Sequence, residues 1–395
     1  MTGRADGIRI GVGLSSMGYL LAGLGACVAV LARDLDESTG RLALLSSAFA
    51  VGLVVVAVVG PMLLRSWALT TVLRIGSLVC AVGAVLLALA PAYGVAVAGG
   101  LCVGLGGALL VLVAPLVLHG PTAAARLSRV NAVASATGIL APIAIGAVDS
   151  LGPTGRLALL AAVPPLVGLA VLKVKPVDGQ PDEPLSGGVA STRTAAVAVA
   201  LGWLRVVLAV GVEFCFVVWA VARLLATGLP MATSALLGSA FPIGMAVGRA
   251  VGPIHWRTWS PVVPGGLLAI IGTLLVSLFD SPAAVTIGLV IAGTGVAPLY
   301  PVTLAALVAT PGPNPTRLAA IGALASGTAI LVTPAALASL ARLADLRTAY
   351  LIAIPLILAL IALSRRPDRR EALQPAHGDT LHRVDCLTPR AQQSD

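Results

Sequence analysis

The sequence has 395 residues, of which 58% are hydrophobic and only 10% charged, with a net charge of +9. A water-soluble chain of this length carries about a quarter charged residues, so most of this surface must face hydrocarbon. The basic excess is scattered through short loops and one tail, without a continuous basic stripe interleaved with aromatics, which argues against a nucleic-acid groove.

Apolar runs long enough to cross about 30 Å of hydrocarbon occur at 10–31, 42–64, 70–90, 94–118, 130–149, 155–173, 196–224, 232–254, 260–279, 284–309, 318–340 and 348–364. The expected fold is therefore an all-α membrane protein with twelve transmembrane helices. Aromatics make up 4% of the chain, whereas there are 44 glycines. Small residues let helix backbones approach closely in a bilayer, where hydrophobicity no longer drives helices together. Residues 1–7 are too short and polar for a cleaved leader, and Ala32-Arg33-Asp34-Leu35 after the first run is not a cleavage site.

Placing the N-terminus inside puts eighteen Lys and Arg on the inner segments and six on the outer ones, with Arg205 inside a span. That asymmetry predicts a multi-pass protein of the plasma membrane with both termini cytoplasmic. Residues 174–194 hold Pro176, Asp178, Gly179, Pro181, Asp182, Glu183 and Pro184. They read as a cytoplasmic linker between an N-terminal half over 1–173 and a C-terminal half over 195–364. Residues 365–395 read as a polar, disordered cytoplasmic tail.

The two halves repeat one another. Residues 44–67 and 236–259 align without a gap, and twelve of 24 positions are identical, among them Phe49/Phe241, Gly52/Gly244, Gly60/Gly252, Pro61/Pro253, Arg65/Arg257 and Trp67/Trp259. Chance would give about two or three in so skewed a composition. Residues 132–142 echo 323–334, and Gly104 and Gly106 map onto Gly293 and Gly295. Matched spans run the same way, so the expected halves are parallel six-helix repeats.

Twelve spans in two parallel halves with a central linker resemble the major facilitator superfamily, over residues 8–364. That family carries G-x-x-x-D-R-x-G after its second span. Here Gly60 and Arg65 match, while Leu64 replaces the Asp and Trp67 the second Gly. The second copy, with Gly252 and Arg257, has Trp256 at the Asp position. The resemblance implies that Gly60, Arg65, Gly252 and Arg257 belong to gating loops, although Gly60-Pro61 also reads as plain helix termination. The Gly138 to Gly146 stretch around Pro142 is similar to the kink motif of the family's proton antiporters but lacks its paired glycines. Pro142 and its counterpart Pro334 are read as kinks, or as prolines that a membrane helix tolerates.

Charges in the bilayer interior cost roughly 2.5–3.5 kcal/mol each at mid-helix. Glu213, Arg205 and Arg249 lie clearly away from span ends. Glu213 sits near the middle of the seventh span, where a carboxylate can exchange a proton as a nearby arginine moves. It is read as a proton-coupling or substrate site, with Arg249 or Arg205 as gating or anion-attracting charges. The competing reading is a structural pair, or arginines that snorkel to the surface. Arg205 is eight residues from Glu213, about 12 Å along a straight helix. Trp219, Tyr19 and Tyr300 are candidate cavity residues, equally suited to packing.

Cys27, Cys80, Cys102, Cys215 and Cys386 show neither a C-x-x-C nor a metal spacing, so no metal and no cofactor is expected. A phosphate-binding Gly-Lys loop and a Ser/His/Asp set are absent from the sequence, so it does not read as an enzyme. The expected function is alternating-access transport of a small molecule, with proton-coupled efflux of an apolar or amphipathic compound first. Uptake of a nutrient or organic anion stands as the alternative, and a non-transporting membrane sensor as a third reading. Expected partners are the substrate, protons and the lipid bilayer, with the chain a monomer.

Overall fold

The computed structural model describes residues 2–38, 44–118, 123–171, 192–251, 260–313 and 315–364. Gly252, Arg257 and the expected tail over 365–395 lie outside the described residues. So does the expected linker up to residue 191, whereas residues 192–194 already open the next helix.

The described chain is helical almost throughout. The first half holds α1 (Thr2–Ala22), α2 (Leu24–Asp34), α3 (Leu44–Ser66), α4 (Leu69–Leu89), α5 (Tyr93–Val117) and α6 (Ala123–Ser150). A 3-10 turn over Gly155–Ala162 then leads into α7 (Val163–Val171). The second half holds α8 (Thr192–Leu225), α9 (Met231–Gly238), α10 (Ala240–Val251), α11 (Val262–Leu278), α12 (Pro282–Val296), α13 (Leu299–Val308) and α14 (Pro315–Leu343). It closes with α15 (Leu346–Ala349), a 3-10 turn over Tyr350–Ile352, and α16 (Ala353–Ser364).

Among the described residues, eight helices are long and apolar enough to cross a membrane. A ninth crossing follows if α1 and α2, bent by 47° about Gly23, form one. Leu45–Gly60, Gly155–Val171 and Val262–Leu278 are shorter apolar helices. In lipid a backbone N–H or C=O finds no water, so helices are the form such runs must take. Hydroxyls solve the same problem locally: Ser77 donates to Leu73 O at 2.8 Å and Thr273 to Ala269 O at 2.7 Å.

Short connections turn successive crossings back on one another. The end holding Thr2 and Ser364 is the terminal end, and the opposite one the far end. Packing partners recur between the halves. The pairs α4·α5 and α3·α5 have counterparts in α11·α12 and α10·α12, and α1·α6 and α4·α7 in α8·α14 and α11·α16. The crossings match to the residue. A Cβ on Gly106 would lie 2.4 Å from Cys80 N, and one on Gly295 would lie 2.4 Å from Ala269 N, each residue 189 positions after its counterpart. Glycine at these crossings lets the backbones touch, as membrane packing favours.

The halves meet along α3·α14, α6·α9, α6·α10 and α2·α8. The bend at Gly23 matters here. Beyond it α2 lies on α8, where a Cβ on Gly25 would sit 2.3 Å from Val217 O and 3.0 Å from Val218 O. Before it α1 packs on α5, α6 and α7 of its own half. Gly146 against Ala232 O and Leu236 adds a second close approach of the halves near the far end.

Candidate functional site

Among the sequence-predicted residues, Glu213, Arg249 and Tyr300 lie within electrostatic range of one another. Glu213 lies in α8 between the buried Val212 and Phe214, and is itself half-buried. Among the described residues it takes no hydrogen bond and no ion pair. Arg249, in the last turn of α10, is close enough for its charge to act on Glu213, and both act on Tyr300 of α13. The Ser326 hydroxyl, in α14, lies on the side of the Tyr300 phenol. It also donates to Gly322 O at 3.0 Å.

Arg249 reaches beyond its own half. Its guanidinium donates to the Ser135 hydroxyl of α6, across the α6·α10 contact. Ser135 and Ser326 close the repeated segments Ala132-Val133-Ala134-Ser135 and Ala323-Leu324-Ala325-Ser326. Two equivalent serines therefore face the one site from opposite halves. That tetrapeptide repeat was the available signal for both, although a lone membrane serine commonly just satisfies its own helix.

The other candidates lie elsewhere. Arg205 donates to Leu363 O at 2.6 Å, placing its charge on the carbonyl end of α16, where a cation is favoured. Tyr19 is buried and donates to Ala158 O at 2.9 Å, fixing α1 to the 3-10 turn. Trp219 is buried in α8 about 1.7 turns beyond Glu213, and its Nε1 has no hydrogen-bond partner among the described residues. Phe216, between them, stacks on Phe241 at 5.2 Å and meets Tyr350 at 5.5 Å, so this stretch of α8 is anchored by rings on both sides. Gly60 is buried inside α3, which runs on through Arg65 to Ser66. Pro142 and Pro334 sit inside α6 and α14, which continue past them.

Two charged clusters at the far end escaped sequence reasoning, which counted their arginines only as loop charges. In the first half Arg33 makes a two-pronged bond to Asp149, both contacts at 2.8 Å, and also binds Asp34. Arg156 approaches Asp34 at 3.4 Å and donates to Ala90 O, the residue closing α4, at 2.5 Å. In the second half Arg223, 1% exposed, donates to Val276 O, Phe279 O and Asp280. Arg347 binds Asp280 and donates to Ser277 O and Leu278 O at the end of α11. Arg156 and Arg347 thus do the same task for α4 and α11. Among the described residues no group of acidic, cysteine or histidine side chains is arranged to hold a metal.

No family model matches the sequence, and no curated protein matches it. Solved structures do match in fold. A bacterial homolog of the human lysosomal transporter Spinster, in an inward-facing and unoccupied conformation, superposes with a TM-score of 0.69 at 13% identity, covering 92% of this chain and 96% of that one. The nucleoside transporter NupG gives 0.68 at 13% identity, over 93% and 100% of the two chains. The human organic anion transporter MFSD10 (TETRAN) gives 0.62 at 17% identity, over 92% and 98%.

Proposed function

We propose that this chain, which has the fold of the major facilitator transporters, is a secondary active transporter that moves a small apolar or amphipathic compound in exchange for protons. The observation that carries the reading is the setting of Glu213. It is a carboxylate in the middle of an apolar helix, without a hydrogen bond among the described residues and within electrostatic reach of Arg249 and Tyr300. A carboxylate kept in hydrocarbon at such cost marks a functional path by default. Beside a mobile cation it can alternate between a protonated and a paired form.

Twelve crossings fit this reading. The eight long helices, the bent pair and the three shorter apolar helices fall on the twelve apolar runs of the sequence. The recurrence of packing partners and glycine crossings supports two parallel six-helix repeats. The excess of Lys and Arg on the terminal-end segments supports cytoplasmic termini in a plasma membrane, and efflux is the direction proposed. The apolar runs carry few polar or aromatic residues, which suits an amphipathic compound better than a sugar.

A second reading, transport of an organic anion, is favoured by Arg249 itself, which is exposed and makes no ion pair among the described residues. One experiment separates them. In proteoliposomes with an imposed pH gradient, lipophilic amines, sugars and organic acids are added in turn to the wild type and to Glu213→Gln. Gradient dissipation by a lipophilic compound, lost in the variant, supports proton exchange through Glu213. Dissipation by organic acids alone supports the second reading. Equal flux in wild type and variant removes Glu213 from the mechanism.

A further inference from the structure

Arg249 is housed in one half of the molecule and bonded to the other, and that asymmetry has a mechanical meaning. Its helix, α10, belongs with α8, α12 and α13, which carry or flank Glu213 and Tyr300. The hydroxyl that accepts its hydrogen bond belongs to α6, which packs on α1. Any rocking of one half against the other changes the separation of Ser135 and Arg249 while leaving that of Glu213 and Arg249 unchanged, because only the second pair shares a half.

The repeat sharpens the point. Ser135 corresponds to Ser326, but the position corresponding to Arg249 in the first half is Ala57. The serines are therefore a shared feature of both repeats, and the arginine is found on one side only. Ser326 bonds within the second half, to Gly322 O, and Ser135 bonds to Arg249 across the interface.

Resting on the proposed transport through Glu213, we infer that Ser135 is a positioning residue that sets the partner of Arg249 according to the state of the molecule. In the state described here Ser135 holds the guanidinium, and Glu213 is left open to a proton or to the cationic end of a substrate. When the halves rock and the Ser135 bond breaks, Arg249 turns to the Glu213 carboxylate, on which its charge already acts, and displaces what it carries. The choice between a neutral hydroxyl and a carboxylate is thus made by helix movement.

Carbodiimide labelling tests this, because the reagent attacks a protonated carboxyl in an apolar setting and fails on one paired with arginine. The full chain in membrane vesicles is labelled and Glu213 modification read by mass spectrometry. Ser135→Ala is expected to lower labelling about tenfold, the change in equilibrium that one lost charge-assisted hydrogen bond produces. Ser135→Thr, which keeps the hydroxyl, is expected to label as the wild type does. Adding Arg249→Gln to Ser135→Ala is expected to restore labelling, which a merely misfolded serine variant would not do. Equal labelling of Ser135→Ala and wild type overturns the inference and leaves the transport reading standing. Undiminished transport by Glu213→Gln overturns that reading, and this inference with it.

Discussion

The carbonyl oxygen of Phe49 lies so close to Gly104 that a Cβ on the glycine would stand 2.0 Å from it, and Phe241 stands to Gly293 in the same way, at 2.2 Å. Helices α3 and α10 therefore cross α5 and α12 with backbone against backbone, at matched positions of the two halves. Real Cβ contacts do not fall below about 3 Å, so a methyl group here must push a helix aside, and neither neighbour is a flexible side-chain end.

Gly104→Ala and Gly293→Ala are each expected to destabilise the protein by about 1–3 kcal/mol, the usual cost of overpacking a tight interior. Thermal unfolding of the purified protein in detergent measures this. Gly94→Ala is the control, because a Cβ there meets nothing within 4 Å. It is expected to be neutral or to stabilise by up to about 1 kcal/mol through helix propensity. A melting temperature unchanged by both crossing substitutions would contradict the packing.

Gly25 makes a different kind of close approach, since its neighbours Val217 and Val218 belong to the opposite half. Gly25→Val is expected to wedge α2 off α8 and open the far end, without unfolding either half. A cysteine placed at Ala232, where α9 meets Gly146 of α6 near the far end, reports the change. Its reaction with a membrane-impermeant maleimide is expected to rise severalfold in the Gly25→Val background. Unchanged labelling would mean that the α2·α8 contact does not seal that end.

Asp345 caps the last crossing from outside the apolar segment: its carboxylate accepts from Thr348 N at 2.6 Å. Those bonds to the charged form hold its pKa below the usual carboxylate value. A lowered folded-state pKa gives a stabilising contribution that is fully present above the unfolded-state value, about 3.9, and is lost as pH falls through the lower folded-state value. The melting temperature of wild type is accordingly expected to exceed that of Asp345→Ala at neutral pH, with the gap closing below about pH 4. A gap that persists at low pH would rule out the charged cap as its source.

The crossings were legible because a bilayer demands about twenty apolar residues at a time, and no soluble core imposes so long a run. The matched crossings at Gly52 and Gly244 were legible because glycine recurs where two backbones must touch. Glu213 stood out in the sequence because a carboxylate is costly in hydrocarbon; its role remains a proposal. The bend at Gly23 was not legible. Glycine is common in membrane helices, and the helical hydrogen bonds pass through this one, from Gly23 N to Tyr19 O and from Cys27 N to Gly23 O. Arg205 and Arg249 looked alike by depth, and only the fold separates a cap on α16 from a bond across the interface. Ser135 was invisible for the opposite reason: serines abound in such helices, and the partner of this one lies 114 positions away.

The far-end arginines carry a consequence for how force passes through the molecule. Arg33 and Arg156, with Asp34 and Asp149, tie the ends of α2, α4, α6 and the 3-10 turn that follows α6. Arg223 and Arg347, with Asp280, tie α8, α11 and the entry to α15. Each of these bonds stays within one half. Each half is thus braced like the head of a lever close to where it bears on the other. Movement started by the exchange proposed at Glu213 and Arg249 would therefore reach the far end as rotation of stiff bodies, with little absorbed in bending the helices.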